Sequence, residues 1–470
     1  MTDPSSFLQQ LDHWYEKRRD AILQDFFTFL SFPSISSEPH HAADVRRCAE
    51  WLLNYLKGMG FQSELWETPG HPVVFASHTA SKPNRPTLLL YHHYDVQPID
   101  PLSAWISPPF SPTLRDNDVY ARGASDNKGQ CFYSLTALKA LFELINPLDL
   151  NIKILIEGEE ESGGKGTSAI LEQKKESLKA DQLLVIDFDI LAPDQPCINL
   201  GMRGILTAEV SCKNSATDLH SGIHGGIALN PNRALIQILS SLWDEQGQVR
   251  IPDFYAAVTP STEEVLDLSF DFKKYEREFG VKAFCPEAAP APQDTSMKGQ
   301  KAVRTANWLR PTVEINGIQG GYTGPGFKTV IPAEAHAKIS CRLVPAQDPQ
   351  KIGKALSQFL KEQAARFPGL DFQIEWHGGA PAYRTSPTTP LIQTASALYE
   401  TLFKAPCHFT LSGGSVPIVT QLAAISGGEV ALLGMALESD TIHAPNEHFS
   451  LDRLKKGFLF IGALISAKNI

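Results

Sequence analysis

Short apolar runs recur along this chain, each closing on a carboxylate or an imidazole, and no other feature restricts its fold as tightly. The first is Thr87-Leu88-Leu89-Leu90-Tyr91, followed by His92-His93-Tyr94-Asp95-Val96-Gln97-Pro98. A continuous run of this length suits a strand buried on both faces of a parallel sheet. Residues 151–156 end in Glu157-Gly158-Glu159-Glu160-Glu161-Ser162-Gly163-Gly164, residues 182–186 end at Asp187, and the strand-like 429–433 precedes a loop with His443. Helical patterns over 128–145, 162–174 and 391–402 alternate with these runs, which predicts an α/β fold with a mostly parallel central sheet flanked by helices. Ligands bind such sheets at the carboxyl ends of the strands, where these side chains fall.

The chain has 470 residues, more than one simple core accommodates. Helical periodicity over 6–60 ends at Gly58-Met59-Gly60. The character changes after Gly204. Residues 205–212 alternate like a half-exposed strand, a helix around 232–243 follows, and the Pro/Ala-rich 285–292 reads as an exposed loop. Strand-like segments at 312–315 and 335–343, a helix over 350–366 and a strand over 371–376 complete a smaller α+β domain. We expect it to be inserted over 207–379 into an α/β domain built from 1–206 and 380–470.

A net charge of −10 and a pI near 5.8 argue against nucleic acid as a partner. No apolar stretch approaches the roughly 18 to 20 residues that span a bilayer, so no membrane role is expected. The early segment around Glu16-Lys17-Arg18-Arg19-Asp20 lacks the order of a signal peptide. Cys48, Cys131, Cys197, Cys212, Cys285, Cys341 and Cys407 are scattered without a Cys-x-x-Cys pair and read as reduced thiols of a cytoplasmic protein.

Each acidic or imidazole group has an ordinary explanation when taken singly. Asp126, just before a helix, suits an N-cap. The glutamates at 157–161 suit a solvated turn at a helix N-terminus, Asp187 a strand-end turn, and His443 a surface loop. Yet four glutamates within five residues repel one another, which a bound cation would relieve. Two histidines and three carboxylates at one sheet edge are what a dinuclear zinc-type site requires.

These stretches, with Arg122-Gly123-Ala124-Ser125-Asp126-Asn127-Lys128-Gly129 and His443-Ala444-Pro445-Asn446-Glu447, resemble the signatures of the dinuclear metallopeptidases. That family includes cytosolic non-specific dipeptidase, carnosinase, carboxypeptidase G, aminoacylase, acetylornithine deacetylase and succinyl-diaminopimelate desuccinylase. The likeness runs from about residue 10 to the C-terminus and is nearest to the dipeptidase branch. It implies that the α/β domain is catalytic and the insert a lid and dimerisation domain. It further implies that His93 and Asp187 hold one metal, Glu161 and His443 the other, and Asp126 bridges both. Asp95 would orient His93, Glu160 would be the general base, and the Asp126–Asn127 peptide is often cis in this family; within the first segment we expect Asp95 to touch only His93 and His92 to be a bystander.

In the insert, Asp218-Leu219-His220-Ser221-Gly222 resembles a motif whose histidine, here His220, stabilises the oxyanion in the partner subunit's site; the implied enzyme is a homodimer with composite sites. Arg342, in Arg342-Leu343-Val344-Pro345, would clamp a substrate carboxylate with Thr329 beside it. Gly413-Gly414-Ser415 resembles a substrate-contacting turn, and His377 would also line the cleft. Ser412 departs from the glutamate common in dipeptidase relatives, which bears on substrate preference. The expected activity is metal-dependent hydrolysis of dipeptides or short peptides, with two divalent ions per subunit, zinc before manganese or cobalt. The alternatives are an N-acyl-amino-acid deacylase on the same machinery and a non-catalytic metal- or amino-acid-binding protein. Glu160 and all five ligand positions are present, which weighs against the last.

Overall fold

The run that begins at Thr87 forms the strand Thr87–His93, buried from Leu88 onward. It pairs in parallel with Asn151–Glu157 on one side and Gln182–Ile186 on the other, and Glu429–Leu433 continues the parallel block. Antiparallel strands flank that block: Val73–His78 then Gln62–Trp66 at one side, Cys197–Met202 at the other. The sheet is therefore parallel at its centre and mixed as a whole. The computed structural model describes residues 4–145, 147–256, 258, 266–267, 269–285 and 296–467. Most of the Pro/Ala-rich stretch, 286–292, lies outside the described residues.

Helices Ala42–Gly58, Lys128–Leu144 and Pro390–Phe403 pack on the strands. The apolar side chains of Lys128–Leu144 cover nearly its whole circumference, and it is buried between the sheet, Pro4–Leu30 and Leu451–Ser466. Its approach to Leu451–Ser466 depends on Gly457, where a Cβ would come within 2.6 Å of the Tyr133 ring. The helical pattern over 6–60 resolves into Pro4–Leu30 and Ala42–Gly58, split by a connection that holds Pro33 and Pro39.

The helix expected over 162–174 differs. A 3₁₀ turn, Glu160–Ser162, comes first, and the helix Lys165–Leu171 begins only after Gly163 and Gly164, both with positive φ (94° and 60°). Such angles favour glycine, and the pair breaks the helical path just after the acidic residues.

The structure divides into two compact units: one of residues 1–200, 385–410 and 418–470, the other of 201–384 and 411–417. The joins thus fall at 200/201 and 384/385 in place of the expected 206/207 and 379/380. The segment 411–417, expected with 380–470, belongs to the second unit. Arg203 explains that placement: its Nε donates to the Gly413 carbonyl at 2.9 Å, and its own carbonyl accepts from Ser415 Oγ at 2.5 Å.

The second unit is an antiparallel sheet in the order Thr312–Gly320, Glu334–Leu343, Gly204–Lys213, Asp371–Ala380. Gly204–Lys213 alternates buried and half-buried residues, as a sheet covered on one face requires. Helices Pro231–Ser240 and Pro349–Ala364 pack on it, each capped by the residue before its proline, Asn230 or Asp348. Leu206, Val210, Leu235, Ile339, Leu356 and Phe359 belong to its core.

Candidate metal centre

The parallel strands deliver their last residues to one place. His93 ends Thr87–His93, Glu161 lies in the turn after Asn151–Glu157, Asp187 follows Gln182–Ile186, and His443 sits in the loop after Glu429–Leu433. Asp126, just ahead of Lys128–Leu144, lies between the histidines: its Oδ1 is 3.0 Å from His93 Nε2 and its Oδ2 is 3.0 Å from His443 Nε2. Asp187 Oδ1 is 3.7 Å from His93 Nε2, and Glu161 Oε2 is 3.2 Å from His443 Nε2. Two triads result, His93–Asp126–Asp187 and Asp126–Glu161–His443, and within each the ligand-capable atoms lie within 4.8 Å of one another. The Asp126–Asn127 peptide bond is cis.

Asp95 serves both sides of this arrangement. Its Oδ1 is 3.4 Å from His93 Nδ1, and its carbonyl oxygen is 3.1 Å from the same nitrogen. A proton held there would leave Nε2 as the nitrogen available to a cation bound between Asp126 and Asp187, the tautomer a metal ligand needs. The expectation that Asp95 touches only His93 is corrected: its carboxylate also accepts from the backbone N–H groups of Glu160 (3.2 Å) and Glu161 (3.1 Å) and from Ser36 Oγ (2.6 Å).

The four glutamates of the acidic turn have separate tasks. Glu157 is fully buried, accepts from the Tyr91 hydroxyl at 2.5 Å, and is pushed up to about 7 by burial. Glu159 accepts from the Thr167 N–H in the first turn of Lys165–Leu171. Only Glu160 and Glu161 address the centre, so the crowding of carboxylates that suggested a cation applies to two of them.

The electrostatics ask for positive charge. Burial raises Glu160 well above the usual carboxylate range, Asp187 and Glu161 adding to the effect and His93 opposing it. Burial, with Asp126 beside it, raises Glu161 to about 7. Burial would lower His93, but Asp187, Asp126 and Asp95 together hold it well above its ordinary value. Hydrogen bonds to Asp126 and Glu161 raise His443 to about 10. Protonated imidazoles thus supply the charge that the carboxylates call for, and two divalent cations would supply it more fully. Borderline nitrogen donors, hard oxygen donors and one carboxylate with an oxygen facing each triad fit such a pair of ions.

Several supporting residues carry no signal in the sequence. Gln97 Nε2 donates to Glu161 Oε2 at 2.7 Å. Asn127 Nδ2 donates to Asp187 Oδ1 at 2.7 Å, while its Oδ1 lies 3.1 Å from His92 Nδ1. The reading of His92 as a bystander is therefore corrected: it is buried, pushed down to about 3 by burial, and joined through Asn127 to Asp187. Glu447 accepts from the N–H groups of Gly123, Ser125 and Asp126 (2.8, 2.9 and 2.9 Å) and pairs with Arg122 at 2.9 Å. Asp440 accepts from Ser125 Oγ at 2.7 Å and from Arg453.

The other expected site residues belong to the second unit. His220 is exposed, and its Nδ1 accepts the Gly222 N–H at 3.0 Å, which leaves the proton on Nε2. Thr329 is exposed, its carbonyl bound by the Ser221 N–H at 3.0 Å. His377 sits at a bulge between Trp376 and Gly378, 3.9 Å from Glu209. Ser415 donates its hydroxyl to Arg203. Arg342 faces Thr312 across the strand pair.

The family model described as "Peptidase family M20/M25/M40" matches residues 89–467. The Cys-Gly metallodipeptidase DUG1 of Candida albicans is 28% identical, the match covering 97% of this chain and 96% of that one. The Beta-Ala-His dipeptidase of Homo sapiens is 29% identical over 94% and 89% of the two chains. Among solved structures, an M20 family metallo-carboxypeptidase, Sso-CP2 from Sulfolobus solfataricus, superposes with a TM-score of 0.84 at 31% identity, over 94% of this chain and 98% of that one.

Proposed function

This chain belongs to peptidase family M20/M25/M40, and we propose that it hydrolyses dipeptides with two divalent metal ions, zinc before manganese or cobalt. The observation that carries this reading is Asp126, shared by two histidine–carboxylate triads with Glu160 beside them. His93, Asp187 and Asp126 would hold one ion, and Glu161, His443 and Asp126 the other. When bound, such a pair acidifies water and polarises a carbonyl oxygen.

The chain's own residues do the remaining work. Glu160, outside both triads, takes the proton of the attacking water and passes it to the leaving amine. Its backbone N–H is bound by the same Asp95 carboxylate that lies against His93 Nδ1, which ties the turn that carries Glu160 to that histidine. His220, with its proton on Nε2, donates a hydrogen bond through it to the oxyanion of the tetrahedral carbon and keeps the proton. Arg342 receives the substrate's free carboxylate, with Thr329, Ser415 and His377 as further contacts. The relatives' names, two dipeptidases and a carboxypeptidase, support this assignment, since each implies a free C-terminal carboxylate. They also favour a dipeptide over an N-acyl amino acid.

We further propose a homodimer in which His220 of the partner subunit completes each site. Exposed apolar side chains on the second unit, Ile223, Ile227, Ile318 and Phe327, support a protein interface. The buried thiols of Cys48, Cys131, Cys197, Cys212 and Cys341 support a cytoplasmic location.

The test is Glu160→Ala. Hydrolysis of dipeptides should vanish while two metal ions per chain remain; retained hydrolysis sinks the mechanism. Mixing that variant with His220→Ala chains extends the test. Mixed dimers should regain activity because one site of each then has both groups, and no recovery means that His220 does not act in trans.

A further inference from the structure

Arg203 and Arg342 are close enough for their charges to interact, and among the described residues neither forms an ion pair. Arg203 is 8% exposed. Its Nε donates to the Gly413 carbonyl at 2.9 Å, and its Nη1 lies 3.4 Å from both the Arg310 carbonyl and Thr312 Oγ1. Every one of these acceptors is neutral. Thr312 is the cross-strand partner of Arg342, and on the other side Arg342 faces Ile205, two residues beyond Arg203. The Arg203 side chain thus reaches across the strand that carries Arg342. Among the described residues Arg342 forms no ion pair, and the one carboxylate whose charge reaches Arg203 is the exposed Glu314. Burial and the charge of Arg342 together lower Arg203 to about 10.

A buried cation held only by neutral acceptors, with a second cation beside it, is costly unless an anion comes to the pair. Surface arginines avoid this by pairing with acids; here the backbone carbonyls fix the geometry and leave the charge unspent. The same side chain fastens the Gly413-Gly414-Ser415 turn from two directions, through its guanidinium and through its own carbonyl.

We propose that Arg203 is a positioning residue for the substrate's carboxyl group, acting through Arg342 and through the Gly413–Ser415 turn. The proposal rests on the reading of Arg342 as the carboxylate clamp. Arg203 adds a second positive charge beside Arg342 and sets the Gly413–Ser415 turn through its guanidinium and its own carbonyl. The consequence is selectivity for a free carboxylate over an amide of the same dipeptide.

The experiment compares KM and kcat for a dipeptide and for its C-terminal amide in the metal-loaded enzyme. Arg203→Gln, which keeps a donor for the Gly413 carbonyl, should raise KM for the free dipeptide about tenfold, the effect of removing the second positive charge that favours an anion at Arg342. KM for the amide should hold, and Arg203→Lys should restore most of the preference. Equal losses on both substrates would mark Arg203 as merely structural and overturn the proposal, as would no loss on either. Glu314→Gln gives an arm that does not depend on Arg203 variants folding: removing that exposed acid should strengthen the preference, and an unchanged or weaker one overturns the proposal. Arg342→Gln separates the two readings. If it keeps the wild-type preference, the clamp itself is wrong; if it loses the preference while the Arg203 and Glu314 variants do not, only the present inference fails.

Discussion

His92 shows how a residue can reach the centre without touching it. Its ring is buried and neutral, and its Nδ1 meets Asn127, whose amide nitrogen meets Asp187. Replacing the ring by leucine leaves the Asn127 carbonyl oxygen unpaired, a cost of about 1–3 kcal/mol, and frees Asp187 to turn. His92→Leu should therefore weaken metal binding by about ten- to a hundredfold, the range for loss of a group that orients a ligand. Competition with a calibrated chelator checks this, and an unchanged dissociation constant would reject the relay. The sequence shows why His93 and not His92 faces the centre only once the strand is placed, since adjacent residues point to opposite faces. His93, Asp126 and Asp187 stand out because each closes an apolar run or comes just ahead of a helix, Glu161 because it belongs to the acidic cluster, and His443 only through the family motif it begins. Gln97, Asn127 and Glu447 do not, because their roles lie in contacts with residues remote in the chain. The spacing of the acidic run does not separate Glu157 and Glu159 from Glu160 and Glu161; the family resemblance does, and the bonds to Tyr91 and Thr167 give the physical reason.

At the level of elements, the packing of Lys128–Leu144 against Leu451–Ser466 rests on Gly457. Glycine inside a helix ordinarily costs roughly 0.5–1 kcal/mol relative to alanine. Here the added methyl would meet the Tyr133 ring at 2.6 Å, so the sign reverses. Gly457→Ala should lower stability by about 1–3 kcal/mol, as overpacking does. Denaturant melts measure it, and a stabilised variant would show that the helices can part without loss. The strands of the central sheet were readable from their continuous apolar runs, and the alternation of Gly204–Lys213 announced a sheet exposed on one face. The turn at Glu160–Ser162 was not readable as such: the helical pattern after it is real, but two glycines with positive φ interrupt its start.

For the molecule as a whole, metal and pH are linked. His443, raised to about 10, holds its proton at neutral pH when no cation is present, and so does His93. A raised histidine pKa means that its ion pairs stabilise the metal-free fold fully below about pH 6.5, the ordinary value, and that this contribution is lost as pH rises through the raised one. Glu160 and Glu161, also raised, ionise over the same rise and add repulsion. The metal-loaded form has no such loss, because cations take the place of the protons. The gap in Tm between metal-loaded and chelator-treated protein should therefore widen from pH 6 toward pH 9, with protons released on metal uptake at neutral pH. A gap that narrows over this range would contradict the assigned ligands. The inserted unit was legible as a change in strand character after Gly204, but its claim on 411–417 was not, because that claim depends on the hydrogen bonds of a single arginine, Arg203.

Glu447 gathers the N–H groups of Gly123, Ser125 and Asp126 from more than three hundred residues away, and His443 meets Asp126 across a similar span. The loop that presents Asp126 is therefore made by one end of the chain and closed by the other. During synthesis His93, Asp126 and Asp187 are all present once residue 187 has emerged, whereas the set of Asp126, Glu161 and His443 lacks its imidazole until His443 has been made. Of the two donor sets, the one that includes His443 is therefore completed late, and it depends on the same distant segment that supplies Glu447 to the loop.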